Sequence, residues 1–512
     1  MSLSRRGFLA GLASVALVGC GRKTDRPVAG GFLDDGGALG HRLRGGARGG
    51  SPSADRAAAR RVERVPVIVV GGGIAGLSAA WHMERRSFQD YLVLEMEGQA
   101  GGNARSGEND VSAFPLAAHY VPVPGPDSAP LTRELFEELG VLRDGVWDEA
   151  TLVHSPEYRV FRWGRWLPGL EETLAETAAE QRDFARFQEH VRELRSTGEF
   201  TIPSAGGRPS SSPLDTLSLD AWLRREGYGA PSFLWYADYA CRDDYGASSR
   251  DTSAWAGVHY FASRPDEELG PLAWPEGNGW VVRRLLERLG HRVRTGQMVL
   301  RVEAADSGAR VITADADYLC DAVVWAAPSF VARFVVEGAP EVDFDYSPWL
   351  TANLTLDRPP RETGTPLAWD NVLHDSPSLG YVVADHQTLR THRERSVWTW
   401  YLAMSDLPPR EARALLVGRS WGEWRDFILA DLARAHPDIR ECVSRIDVFR
   451  MGHAMPRPSP GFLASGARRR LGAADGPVYY ANSDVEGLSL FEEAQHRGVE
   501  VARRVLARVG GE

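Results

Sequence analysis

Lysine is all but missing from this chain: of its 59 basic residues only Lys23 is a lysine, and the rest are arginines. Beyond position 23, therefore, no lysine can form a Schiff base or carry a proton. Cysteine is scarce as well. Cys20, Cys241, Cys320 and Cys442 are the whole set, without a CxxC pair, which excludes a cysteine-built metal site and a disulfide framework and leaves room for one disulfide among the last three. Beyond residue 19 no stretch is long and apolar enough for a transmembrane helix, which takes about 20 residues. Excess positive charge is lacking too: 59 basic residues face 69 acidic ones, a formal net charge of -10, so nucleic acid is not an expected partner. Apolar residues are plentiful, 43% over 512 positions, enough to bury a large core in two intertwined domains.

The N-terminus reads as an address rather than as part of a fold. "SRRGFLAGLASVALVGC" (4–20) places Arg5 and Arg6 before an apolar run, Phe8 to Gly19, that is too short to span a bilayer. It resembles the twin-arginine signal that exports folded proteins. Leu17, Val18, Gly19 and Cys20 resemble a lipobox, which implies lipidation of Cys20 and a membrane anchor on the periplasmic or outer face of the cell envelope. Residues 1–19 are thus expected to be a signal peptide and 20–64 a tether, since "GGARGGSPSADRAAARRVER" has no apolar periodicity. Within it, "GGFLDDGGALGHRLRGG" is less plainly linker and has apolar residues with which to dock on the body.

The body opens on "VPVIVVGGGIAGLSAAWHMERR" (65–86). The β-branched run to Val70 predicts a strand buried on both faces, and the segment from Gly76 predicts a helix. Gly71, Gly73 and Gly76 stand between them in GxGxxG spacing. The first permits a tight turn, the second lets backbone approach a pyrophosphate, and the third lets the helix pack near the strand with its N-terminus toward the phosphates. A second strand, "DYLVLEM", carries Glu95, 19 residues past Gly76, where an acid accepts hydrogen bonds from ribose hydroxyls. NAD and FAD share this constellation.

Four further stretches bear on the choice. "EGQAGGNARSG" (97–107) holds Gly101, Gly102, Arg105 and Ser106; "GPLAWPEGNGWVVRRLLERLG" (270–290), "MVLRVEAADSGARVITADADYLCDAVVWAAP" (298–328) and "VYYANSDVEGLSLFEEAQHRGVEVARRVL" (478–506) follow in order. They resemble the second glycine pair, the glycine turn and helix, the adenine-side strand with its hairpin and return strand, and the closing strand, acidic turn and long helix of the flavin amine oxidase and phytoene desaturase superfamily. The resemblance spans most of the mature chain. It implies noncovalent FAD, since the closing segment lacks the cysteine that some members bond to the flavin. It also implies an α/β fold: a discontinuous Rossmann-like FAD-binding domain at 65–125, 269–345 and 445–512, with an interleaved α+β substrate domain at 126–268 and 346–444. Carried over by position, Gly71, Gly73 and Gly76 hold the pyrophosphate, Glu95 the ribose, and Gly101, Gly102 and Arg105 the phosphates or the flavin side. Val299 or Val302 meets the adenine end, and Asp484 the ribityl or pyrophosphate portion. Leu490 and Phe491 aim backbone N–H groups at the flavin pyrimidine, where a helix N-terminus stabilises negative charge.

The implied reaction is hydride transfer from a substrate carbon to flavin N5 by an FAD-dependent oxidoreductase acting on a small molecule, in the first place oxidation of an amine such as a polyamine. Many relatives place a lysine near N5 to assist reoxidation by oxygen. The comparable strand here reads "SPWLTANLTLDRPP", so the electron acceptor is oxygen without that help, or another molecule. An isoprenoid- or lipid-type desaturase or isomerase, and a non-catalytic or electron-relay flavoprotein at the membrane, stand as alternatives. Candidates for the substrate side are His119 with Tyr120, Glu276 with Asn278, Trp398, Trp400 and Tyr401, His453, and the cluster Asp243, Asp244, Tyr245. A neutral histidine takes a proton from an ammonium, carboxylates bind a cation, and aromatic faces attract one. Each also has a plainer reading, as a hydrogen-bonded histidine, a helix cap or a strand core. No metal is called for.

Overall fold

The computed structural model of the chain describes residues 27–33, 37, 39–41, 61–207, 211–264, 270–305, 307–388 and 394–510. The expected signal peptide and Cys20 lie outside the described residues. Val67–Val70 is buried throughout and pairs in parallel with Tyr91–Leu94 on one side and Ala322–Trp325 on the other. Val293–Arg294 and Val478–Tyr480 complete a five-stranded parallel sheet. Strands without polar side chains suit a sheet covered on both faces. Val67 and Val69 pack against helix Ile74–Arg85 and the last helix, Phe491–Gly510, while Ile68 and Val70 pack against a four-stranded sheet. That sheet joins Val299–Ala305, Gly308–Thr313, Ala316–Cys320 and Arg61–Arg64. The two helices come together at Gly498, where a Cβ would stand 2.1 Å from the Ala75 carbonyl oxygen.

The second body is an eight-stranded sheet in the order Ala29–Phe32, Val443–Pro456, Tyr346–Leu356, Ser396–Ala403, Gly380–Val383, Asp370–Leu373, Tyr158–Arg162, Arg165–Pro168. Alternation along each strand divides its side chains between two cores. Leu350, Ala352, Trp398 and Trp400 pack under helices Pro409–Gly418 and Trp421–Leu432, whereas Trp349, Val397 and Tyr401 face Phe114, Leu116 and Tyr239. Helices Ala178–Ser196, Pro231–Tyr245 and Ala254–Ala262 form a third core beside it. Among the described residues no helix is long and apolar enough to cross a membrane.

Two expected boundaries move. Residues 29–32 and 61–64, expected in the tether, are strands: Ala29–Phe32 pairs in parallel with Arg445–Val448, and Arg61–Arg64 with Ala316–Leu319. The "GGFL" segment thus docks on the body as its apolar residues suggested. Val443–Pro456 lies inside the eight-stranded sheet, so the last portion of the dinucleotide-binding domain starts after Pro456 rather than at 445. Phe32 lies under Arg450, with the guanidinium 3.6 Å from the ring centre. Phe32→Ala is expected to cost about 1–2 kcal/mol of stability, measured by chemical denaturation, with cofactor content unchanged. Cys241, Cys320 and Cys442 are all free and buried, so the room for a disulfide goes unused.

Candidate active site

A dinucleotide cradle forms where Val67–Val70 hands over to its helix. Gly71 holds φ +106°, and a Cβ there would come within 2.9 Å of the Ala327 nitrogen. Gly76 lets the helix return over this turn, since its Cβ would meet the Gly71 carbonyl oxygen at 2.0 Å. Gly73 and Gly102 face each other across bare backbone, and a Cβ on Gly73 would meet nothing nearer than Gly102 Cα at 3.9 Å. This strip before a helix N-terminus suits a pyrophosphate, and a side chain would fill it. Glu95 stands next to it, accepting the N–H groups of Gly72 (2.7 Å) and Glu97 (2.8 Å), and burial pushes its carboxyl up. The Gln297 N–H reaches the Glu95 carbonyl (2.7 Å), which brings the start of the adenine-side strand and Val299 beside the ribose position. Strip, acid and strand together fit the dinucleotide.

Three residues carried over by position have other partners. Arg105 Nε donates to the Gly102 carbonyl (3.1 Å), and its guanidinium pairs with Glu97 and lies over Phe449. It therefore pins the glycine pair. The Val302 carbonyl accepts the Glu337 N–H (3.0 Å) on the open side of the sheet's edge strand, which leaves Val299 as the adenine-side candidate. Asp484 accepts the Ser329 N–H (2.8 Å) and the Tyr346 hydroxyl (2.7 Å), tying the turn after Trp325 to the substrate sheet. Leu490 and Phe491 stand where expected, just before and at the start of the last helix, with Phe491 stacked on Phe136.

The loop from Phe114 to Tyr120 is held from two sides. Thr351 donates to the Leu116 carbonyl and Asn353 Nδ2 to that of Pro115 (3.1 Å), so the strand without a lysine uses its polar side chains to position this loop. Opposite, Asn278 Nδ2 donates to the Tyr120 carbonyl (3.1 Å), and Gly277, at φ +57°, comes so close that a Cβ would lie 2.8 Å from His119 Cα. The His119 ring stacks on Tyr401 at 4.8 Å and lies 4.9 Å from Tyr120 and 5.6 Å from Trp369. Burial holds His119 down to about 4, so it is neutral at pH 7 and a poor proton acceptor there.

Around this aromatic wall the fold collects carboxylates. Helix Pro231–Tyr245 brings Tyr239 and Asp243, one turn apart, and the paired strands bring Tyr158 directly opposite Asp370. Asp244 takes two hydrogen bonds from Arg264 (3.0 and 3.2 Å). Burial and the Asp244 charge push Asp243 up to about 7, and burial and Asp243 push Asp370 well above the carboxylate range. In the first turn of the last helix burial raises Glu492 to about 7 and Glu493 to about 8. A cavity of about 200 Å³, walled by Phe200, Ile202 and Val123, brings Glu492 and Arg264 together.

Several substrate-side candidates fall elsewhere. Glu276 pairs with the half-exposed Arg283 at 2.5 Å, an ion pair near the surface. Asn278 positions Tyr120 through Nδ2, while its buried Oδ1 has no hydrogen-bond partner. His453 stacks on Phe330 (4.1 Å) near Tyr346, on the Asp484 side. Trp400 is fully buried under the Trp421–Leu432 helix, its Nε1 donating to Asp431 at 3.0 Å. Trp398 and Trp400 do share a face, but it is the face under the helices; Tyr401 lies on the opposite face, stacked on His119. Trp400→Phe is expected to cost about 1–3 kcal/mol by removing one of the hydrogen bonds to the buried Asp431 carboxylate, whose Oδ2 keeps that from Ser378. It should leave the preference among substrates unchanged, checked by denaturation and by reduction rates with two substrates. Asp370 and Glu492 were not singled out in the sequence: "AWDNVL" reads as a strand start, and "LFEEA" as ordinary first-turn acids.

Comparison with known proteins follows the same outline. A family model described as flavin containing amine oxidoreductase matches residues 74–506. The flavin-containing amine oxidase A of Canis lupus familiaris is 25% identical over 279 residues, which are 51% of this chain and 49% of that protein, so the match spans about half the length of this curated relative. Putrescine oxidase bound to putrescine has a TM-score of 0.65 at 18% identity, covering 87% of this chain and 100% of the other. Cyclohexylamine oxidase from Brevibacterium oxydans gives 0.65 at 15%, and a fatty acid isomerase from P. acnes 0.63 at 16%, each covering 86% of this chain and 98% of its own.

Proposed function

The chain belongs to the flavin-containing amine oxidoreductases and is an FAD-dependent oxidoreductase, and from that premise we propose that it oxidises the C–N bond of a cationic primary or secondary amine, polyamines included. One observation carries the reading: the charge of Asp243 acts on Tyr120 and Tyr401 and that of Asp370 on Tyr401, both rings lie against His119, and the Asp244–Arg264 pair stands alongside in the sequence. FAD, when bound, supplies the hydride acceptor. The chain's part is to attract the ammonium through carboxylates and rings, hold its carbon in place, and keep water out. An apolar lipid would gain nothing from buried carboxylates, which are costly to desolvate.

With no lysine in the strand that holds the His119 loop, slow reoxidation by oxygen and a different physiological acceptor belong to the same proposal. So does export in the folded, cofactor-loaded state to a lipid anchor, which rests on Arg5, Arg6 and Cys20. Fused to a signal for unfolded export, the chain should emerge without flavin. The test of function is the visible spectrum of the purified protein without oxygen, before and after addition of mono-, di- and polyamines. Bleaching of the flavin band by an amine is expected; a band unchanged by every amine would overturn the reading.

A further inference from the structure

We infer that strand Ala29–Phe32 is a clamp that keeps one edge of the eight-stranded sheet against a lipid bilayer, an inference that rests on the lipid anchor at Cys20 proposed above. Read from the sequence, residues 20–64 form one tether, which at about 3.6 Å per residue could reach about 160 Å. The strand ends that tether early. From Cys20 to Pro27, where the described residues begin, is seven residues, so the anchor lies within about 25 Å of the body.

The segment is built to dock. Gly30 has φ +128°, and a Cβ there would stand 1.8 Å from the Ile446 carbonyl oxygen, so backbone meets backbone with no room for a side chain. Ala29, Gly30, Gly31 and Phe32 lie opposite Arg445, Ile446, Asp447 and Val448, and the Leu33 N–H reaches the Val448 carbonyl at 2.9 Å. Val28 and Phe32 pack on the core that lies under helices Pro409–Gly418 and Trp421–Leu432, and Arg450 closes over the Phe32 ring. A mere spacer between lipid and protein needs neither the glycine nor the apolar pair.

The order of the sheet decides which edge is held. Ala29–Phe32 is the first strand and Arg165–Pro168 the last, seven spacings away, and at about 4.8 Å per spacing the two edges stand about 34 Å apart. Turned over onto its far edge, the body would lift Ala29 beyond the leash. The Ala29 edge is therefore the one kept within reach of lipid, and the partner it meets is the bilayer surface itself.

Gly30→Ala tests the clamp, with Gly31→Ala as its control. A Cβ on Gly30 collides with Ile446, whereas one on Gly31 meets nothing within 4 Å. The mature FAD-loaded chain, starting at Cys20, is coupled through that cysteine to a supported phosphatidylcholine bilayer containing maleimide-headgroup lipid; Cys241, Cys320 and Cys442 are buried and do not compete. Neutron reflectometry then reads the height of the protein layer. Wild type and Gly31→Ala are expected to form the same thin layer against the bilayer. Gly30→Ala should move it outward by about 20 Å and broaden it, because a free coil over residues 20–60 spans about 35 Å where seven residues span about 15 Å. Flavin content and unfolding midpoint report whether each body is folded. Should Gly30→Ala lose its flavin, the double variant V28S/F32S, which strips the apolar contacts without a backbone clash, is expected to give the same outward shift. A folded Gly30→Ala or V28S/F32S layer at wild-type height, or a wild-type layer as high and broad as theirs, would overturn the clamp. Coupling by maleimide bypasses lipidation in the cell, which mass spectrometry of Cys20 reads separately. An unmodified Cys20 beside the expected shift would mean that the anchor reading fails and the strand's hold on the body stands.

Discussion

Gly73→Val should give a folded protein without colour. Gly73 has φ -76° and ψ -177°, an extended conformation that valine adopts readily, and its Cβ would stand free of the surrounding protein. The isopropyl group would instead occupy the strip between Gly73 and Gly102 where the pyrophosphate must come closest to backbone. A loss of about 3 kcal/mol in cofactor binding lowers affinity roughly a hundredfold, enough to empty the site through purification. Flavin absorbance per chain reads the loss, and circular dichroism reads the fold. Gly76→Ala is the contrasting case. Its Cβ would collide with the Gly71 carbonyl oxygen at 2.0 Å, so fold and flavin should be lost together. Full flavin content in Gly73→Val would remove the cradle from the account.

Glu493→Gln should stabilise the protein increasingly as pH rises from about 4.5 toward 8, with the full gain above that. Glu493 is fully buried, and one carboxyl oxygen accepts the Ser204 N–H at 2.5 Å while the other has no partner. Burial and the nearby Glu486 raise it to about 8 in the folded state, against an ordinary value near 4.5. A raised folded value means that the native state binds the proton more tightly, so this stability is present below about 4.5 and is lost as pH rises through 8. Glutamine keeps an acceptor for Ser204 and cannot ionise. The variant should match wild type near pH 5 and exceed it by a few kcal/mol at pH 9, as urea denaturation at the two pH values would show. Parallel curves would mean that Glu493 ionises without penalty. Asp243 and Glu492, both near 7, give wild type a slope of the same sign.

The parts of this molecule that were legible in the sequence are those built from neighbours along the chain. Gly71, Gly73, Gly76 and Glu95 lie within one strand–turn–helix–strand unit, and local sterics alone require glycine there. The surroundings of His119 are different. Tyr158 meets Asp370 only because two distant segments pair in parallel, with Arg159 bonding Asn371 across 212 residues on the opposite face. Period two correctly put Trp398 and Trp400 on one face, but which face is core is decided by the Trp421–Leu432 helix, which no local pattern announces. Arg105 was expected, on its position, at the phosphates or the flavin side, and its pairing with Glu97 eight residues away was not read from the sequence. Val443–Pro456 runs as one strand across residue 445, which a boundary placed there from the sequence could not foresee. Glu492 and Glu493 look like acids that favour a helix N-terminus in water, and only the helices packed over them turn them into buried groups.

The central claim is that the protein recognises a positive charge next to the carbon to be oxidised. The direct measurement is anaerobic flavin reduction at pH 8 by an amine and by an alkene of the same carbon skeleton, each followed at the visible flavin band with the wild-type holoenzyme. Bleaching by the amine alone, at a rate that saturates with concentration, is the predicted result. Bleaching by the alkene, or by both at similar rates, would contradict it and move the chemistry to an apolar substrate.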